Sequence, residues 1–134
     1  MALDLLKTNI AAEAESGYEF ELLHPATGEG TEGFIKVRGE KSKVVQNHAR
    51  KVVTEMQKRE KVAKGKNKEV ELTIEELEDM AVDRAVVRII SWRGIQEDGQ
   101  DIPFTRENAE KILKDHPWIR EAVMEESENL LNFR

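Results

Sequence analysis

The sequence predicts an α+β fold that is mainly helical, with three to five helices and one N-terminal β-hairpin. Two short alternating segments near the start, YEFELLH and FIKVR, flank a Pro-Ala-Thr-Gly turn. Beyond them the apolar residues recur at helical spacing, and Thr73, Thr105 and Pro117 mark helix starts. A chain of 134 residues suits one domain. It divides into an arm or short helix (1–17), a hairpin (18–38), a helix (42–60), a basic linker (61–71) and a helical region (73–131).

Leu3, Leu5, Leu6 and Ile10 are the apolar set of the arm. In the first strand Tyr18, Phe20 and Leu22 face one way, and Glu19 and Glu21 the other. Ile35 and Val37 alternate with Lys36 and Arg38 in the second. This register offers Glu19 and Glu21 to Lys36 and Arg38 across the strands. Gly39 closes the hairpin, and Ser42 caps a helix whose apolar stripe is Val45, Ala49, Val52, Val53 and Met56.

Thr73-Ile74-Glu75-Glu76 is a capping box. Leu77, Met80 and Ala81 turn inward behind it, and residues 85–92, AVVRIISW, are apolar almost all round. A strand competes for that run, because Val86, Val87, Ile89 and Ile90 are β-branched; the capping box favours helix. Asp98-Gly99 marks a tight turn, and Thr105 is an N-cap preceded by Phe104, placed to staple onto Ala109. Residues 94–105 therefore read as a joint between packed helices. Ala109, Ile112 and Leu113 line the helix that follows. Pro117 opens a last helix with the stripe Ile119, Ala122, Val123 and Leu130.

Charge narrows the function classes. Charged residues make up 36% of the chain, well above the usual quarter, so wide faces are solvated. Residues 58–68 carry 6 basic and 1 acidic side chain, whereas residues 69–134 carry 8 basic and 17 acidic. The acidic half disfavours nucleic-acid binding, and the basic stretch has no aromatic residue for base stacking. With no cysteine, disulfides and thiolate metal sites are excluded. No apolar run is long enough for a membrane span, and the N-terminus lacks the pattern of a signal peptide, so a soluble intracellular protein is expected.

The motifs that resemble catalytic or binding signatures have plainer readings. Gly28-Glu29-Gly30-Thr31-Glu32-Gly33 matches G-x-G-x-x-G, but a strand follows it instead of a helix, and Glu29 and Glu32 repel phosphate. His24, His48 and His116 lack metal-ligand spacing. Glu75, Glu76, Glu78, Asp79 and Asp83 suit the first turns of a solvated helix. The Asp98–Asp101 loop lacks a calcium register, and there is no P-loop or nucleophile elbow. No enzymatic activity, cofactor or metal is expected.

What remains is apolar surface. Trp92, Phe104 and Trp118 read as core or as contact. The stripe of the last helix ends near Leu130, which leaves Leu131 and Phe133 without an obvious partner in the chain. Candidate partner-binding residues are therefore Leu130, Leu131, Phe133, Trp92, Val86, Ile89 and Ile90, with 85–92 also a candidate contact for a homo-oligomer.

The ordered set Trp92-x-Gly94-Ile95, Asp98-Gly99, Ile102-Pro103-Phe104-Thr105-x-Glu107-Asn108, Ile112-Leu113 and Pro117-Trp118-Ile119 resembles tail assembly chaperones of lambda-like, long non-contractile-tailed double-stranded DNA bacteriophages. The front half is similar too, with His24-Pro25-Ala26-Thr27-Gly28 in a hairpin and Val37-Arg38-Gly39 before a long helix. The resemblance implies a non-enzymatic protein that binds the tape-measure protein, keeps it soluble and helps the major tail tube protein polymerise around it. It implies action in the host cell cytoplasm during assembly, absence from the mature virion and, in many members, a longer form made by ribosomal frameshifting. A structural virion component and a small nucleic-acid-binding adaptor are the alternatives.

Overall fold

The computed structural model describes residues 2–134. The elements in chain order are α1 (Ile10–Ser16), β1 (Tyr18–Leu23), β2 (Gly30–Val37), α2 (Lys43–Gly65), α3 (Ile74–Val86), β3 (Ile89–Arg93), β4 (Gln96–Glu97), β5 (Gln100–Asp101), α4 (Arg106–Asp115) and α5 (Pro117–Glu128). A 3-10 turn, Leu130–Asn132, follows α5.

The α+β class stands, but its expected form is corrected. The strands are not confined to one N-terminal hairpin: β1, β2 and β3 form an antiparallel sheet in that order, and β4 pairs with β5 in a second, two-stranded sheet. The helix expected across 85–92 stops at Val86, and Ile89–Arg93 is a strand against β2, with Ile35 opposite Trp92. Thr73 and Glu76 do form both bonds of the capping box. That motif satisfies the first amides of a helix and carries no information about where the helix ends. The end is decided by β-branched residues that find an open sheet edge.

The hairpin follows the alternation. Tyr18 lies opposite Val37 and Phe20 opposite Ile35, with Phe20, Leu22, Ile35 and Val37 buried. The expected charge pairs rearrange once β3 is present. Glu19 stands opposite Lys36, yet its carboxylate accepts from Arg93 on β3 at 2.8 Å, and Arg93 stacks 4.0 Å over the Phe34 ring. Glu21 accepts from the Glu32 amide. Arg38 donates to the Val87 and Ile89 carbonyls, which joins β2 to the α3–β3 turn.

The joint at 94–105 is a hairpin between β3 and α4. Asp98 (φ 51°) and Gly99 (φ 77°) both sit in the left-handed region, as a type I′ turn requires. Gly94 (φ 72°) has the Glu32 carbonyl where a β-carbon would stand. Trp92 Nε1 donates to the Ile102 carbonyl at 2.7 Å, and its ring meets Phe104 edge-on at 5.1 Å. Thr105 caps α4 by accepting from the Asn108 amide, and Pro117 opens α5.

The core lies between one face of the three-stranded sheet and α3, α4 and α5. Val82, Ala85, Val86, Ala109, Leu113, Ile119 and Val123 from these helices meet Phe20, Leu22, Ile35, Val37 and Ile89 from the strands. Phe133 joins this core at 5% exposure, edge-on to Tyr18 and against Gly39. The unpartnered tail expected from the sequence is thus corrected at this residue. The 3-10 turn reverses the chain after α5 and swings Phe133 inward, a move that helix periodicity does not encode.

The α2 helix differs from the others. It runs 23 residues, five beyond the expected end at 60, so the linker shortens to the segment between Gly65 and Ile74. Ser42 caps it by accepting from the Val45 amide. Of the expected stripe only Val45 is buried, and Val53 is 56% exposed.

Candidate functional site

The structure disperses most of the expected contact residues into the core. Val86, Ile89 and Phe133 are buried, and Ile90 and Trp92 are half-buried. Leu130 (52% exposed) and Leu131 (67%) remain on the surface, where Asn129 caps their turn.

A second uncovered apolar feature lies between α2 and α3. Val45 is the one buried residue of α2, and the rest of its inner face is left uncovered beside α3. A groove results. Val45, Ala49 and Val52 line it from α2, and Met80, Ala81 and Val87 line it from α3 and the turn after it. Its inner part has a volume of about 390 Å³. The outer part, about 320 Å³, shares His48, Val52 and Met80 and passes between Lys51, Glu55 and Arg59 on one side and Glu76, Asp79 and Asp83 on the other. Ile74 and Leu77 on α3 and Val53 on α2 are exposed as well.

Few ties hold α2 along this groove. Arg59 contacts Glu76 at 2.7 Å, so the capping-box carboxylate also anchors the outer half of α2. Hydrogen bonding from Arg59, then from the Thr73 amide, holds the Glu76 carboxyl below its ordinary value. Both partners are substantially exposed, so the contact contributes little to stability.

The floor of the inner groove is a buried cation. Arg88 is 2% exposed, and its Nε and Nη1 have no hydrogen-bond partner among the described residues. Nη2 stands 3.8 Å from Glu40 Oε1, beyond hydrogen-bond reach. Burial, reinforced by Arg84, lowers the guanidinium's pKa against the opposing pull of Glu40 and Glu128. His48 is also held below its ordinary value, first by burial and then by Arg88, Arg106 and Lys51, with Asp83 pulling the other way.

Sequence reasoning passed over Arg88 because the run AVVRIISW reads as apolar almost all round. The usable signal was the lone charge in AVVRIISW: a charge there must reach solvent or find a counter-ion. Among the described residues no group of three or more His, Asp or Glu side chains could hold a metal ion, and no helix is long and apolar enough to cross a membrane.

The fold and groove define a small α+β protein whose longest helix presents apolar surface instead of burying it. The chain belongs to the family described as YdaY prophage protein, whose model matches residues 39–134, a span that contains the whole groove. It is therefore a phage-derived protein. No curated protein and no solved structure matches it significantly.

Proposed function

We propose that this protein is a non-enzymatic tail assembly chaperone. It binds apolar helical segments of the tape-measure protein through the α2–α3 groove, keeps them soluble and assists polymerisation of the major tail tube protein. It works in the host cell cytoplasm during assembly and is absent from the mature virion. The observation that carries this reading is the apolar stripe of α2, which faces an open groove instead of the core. A holdase needs such a surface beside strongly charged faces, and the groove supplies both within one helix pair. Membership of a prophage family is consistent with an assembly role. Leu130 and Leu131 form another apolar surface.

The test is co-expression with the tape-measure protein of the same genome, scored by soluble fraction and co-purification. Wild type is expected to retain the tape-measure protein in solution. Val52→Asp with Met56→Asp, on the groove wall, is expected to abolish this while the circular dichroism spectrum is unchanged. An insoluble tape-measure protein with wild type, with no co-purification by a frameshifted longer form either, would overturn the proposal. Detection of the protein in purified particles would instead favour a virion component.

A further inference from the structure

Arg88 cannot be explained as a strut. A guanidinium with two buried, unpartnered nitrogens is costly, because desolvation is not offset by hydrogen bonds. Its near carboxylate, on Glu40, is 3.8 Å away and half-buried at the groove rim. The remaining lining is mainly apolar on both walls, with Gln46, His48 and Arg84 as its other polar members, and Arg84 is itself engaged by Glu128 at 3.7 Å. Such a pocket selects a carboxylate on an apolar stem over a heavily hydrated phosphate. The way out of the pocket does not suit a bare alkyl chain. It runs between charged rows, basic and acidic on α2 and chiefly acidic on α3, which fits a peptide carrying charges of its own. The wall over Arg88 belongs to α2, whose one buried residue is Val45, so an entering segment has a lightly held element to displace.

We propose that the inner α2–α3 groove is a receptor for an acidic side chain carried on an apolar helical segment of a partner protein, with Arg88 as its charge-pairing group. The partner's carboxylate would supply the hydrogen bonds that Nε and Nη1 lack. This deepens the groove reading and rests on it only in taking the groove as a binding surface; it does not depend on the partner being a tape-measure protein.

The probe is a capped synthetic helix of about 16 Leu, Ala and Lys residues, long enough to hold helical structure, with one central Glu. Its pair carries Gln at that position. Binding to the full chain is followed by nuclear magnetic resonance of the Arg88 Nε–H group and by calorimetry. The Glu peptide is expected to shift the Arg88 signal and to bind about tenfold more tightly than the Gln peptide. Arg88→Met is expected to erase that preference and to unfold at an equal or higher temperature, because a buried guanidinium short of hydrogen bonds is gone. Ala49→Glu, on the exposed groove lip, supplies a competing carboxylate within the chain and is also expected to erase the preference while leaving the fold intact.

Equal binding of the two peptides, or no binding by either, would overturn the proposal. So would a lowered unfolding temperature for Arg88→Met, which would make Arg88 a structural partner of Glu40, or a preference that survives Ala49→Glu. Tighter binding of octanoate than of the Glu peptide would reassign the pocket to a free amphiphile. Failure of tape-measure co-expression with success of the peptide would remove the chaperone reading and leave this one standing.

Discussion

In α4 and α5 the apolar positions Ala109, Leu113, Ile119 and Val123 are all buried, whereas in α2, more than twice as long as α4, the equivalent positions leave only Val45 inside. Both regions obey the same amphipathic spacing. The difference is what stands opposite the stripe. The α4 and α5 helices face a three-stranded sheet and α3; α2 faces an opening beside α3. Length and local charge spacing keep α2 helical without burial, with Glu55 and Glu60 each four residues before a cation, Arg59 and Lys64. An apolar stripe therefore states what a helix can bury, and the tertiary structure decides whether the partner is internal.

This contrast is breakable by mutation. Leu113→Ala, in the fully packed body, is expected to cost about 2–5 kcal/mol in urea unfolding, while Val53→Ala on α2 stays within about 0.5 kcal/mol. Comparable losses at the two sites would mean that α2 is part of the core. At the C-terminus, two residues apart, Phe133→Ala is expected to cost about 3–5 kcal/mol and Leu131→Asp almost nothing. A stable Phe133 variant would restore this side chain to the exposed tail. Ser42→Ala sharpens the boundary between the regions. Loss of the buried cap of α2 is expected to lower stability by about 1 kcal/mol, read as a shift in thermal midpoint, and to speed amide exchange in the first turn of α2.

The smallest expected effect is on pH dependence. His48 has a folded pKa below its ordinary value of 6.5, so the folded state favours the neutral ring. Its stabilising contribution is complete above that ordinary value and is lost as pH falls through the lower folded value. Stability should decline less steeply for His48→Gln than for wild type between about pH 7.5 and 5.5, in matched thermal scans. The groups facing the ring are Asp83, Arg88, Arg106 and Lys51. An identical slope for the two proteins would place the ring in solvent.

Local chemistry was legible wherever a few neighbouring residues suffice. The Tyr18–Leu23 alternation, the Thr73–Glu76 box, the Thr105 cap and Pro117 at the first turn of α5 all read correctly, because each is satisfied within a few residues of itself. The run AVVRIISW was misread because a short, nearly continuous apolar run has no periodicity that tells helix from strand. Asp98-Gly99 announced a turn, but strands of two residues leave no periodicity around it. The site was the least legible part. Its walls come from residues about 30 positions apart in α2 and α3, and nothing in either stripe says that they fail to close on each other.

The sequence by itself determined the α+β class, the hairpin, the helix starts and the uneven charge, since propensity, capping and turn chemistry act over short spans. Only the tertiary structure decided that Ile89–Arg93 joins the sheet, that Phe133 returns to the core, and that the α2 stripe and Arg88 stay unsatisfied. The physical reason is that burial and hydrogen-bond satisfaction are relations between distant segments. A residue type sets the cost of leaving a group unpaired, and the assembled fold sets whether a partner is within reach.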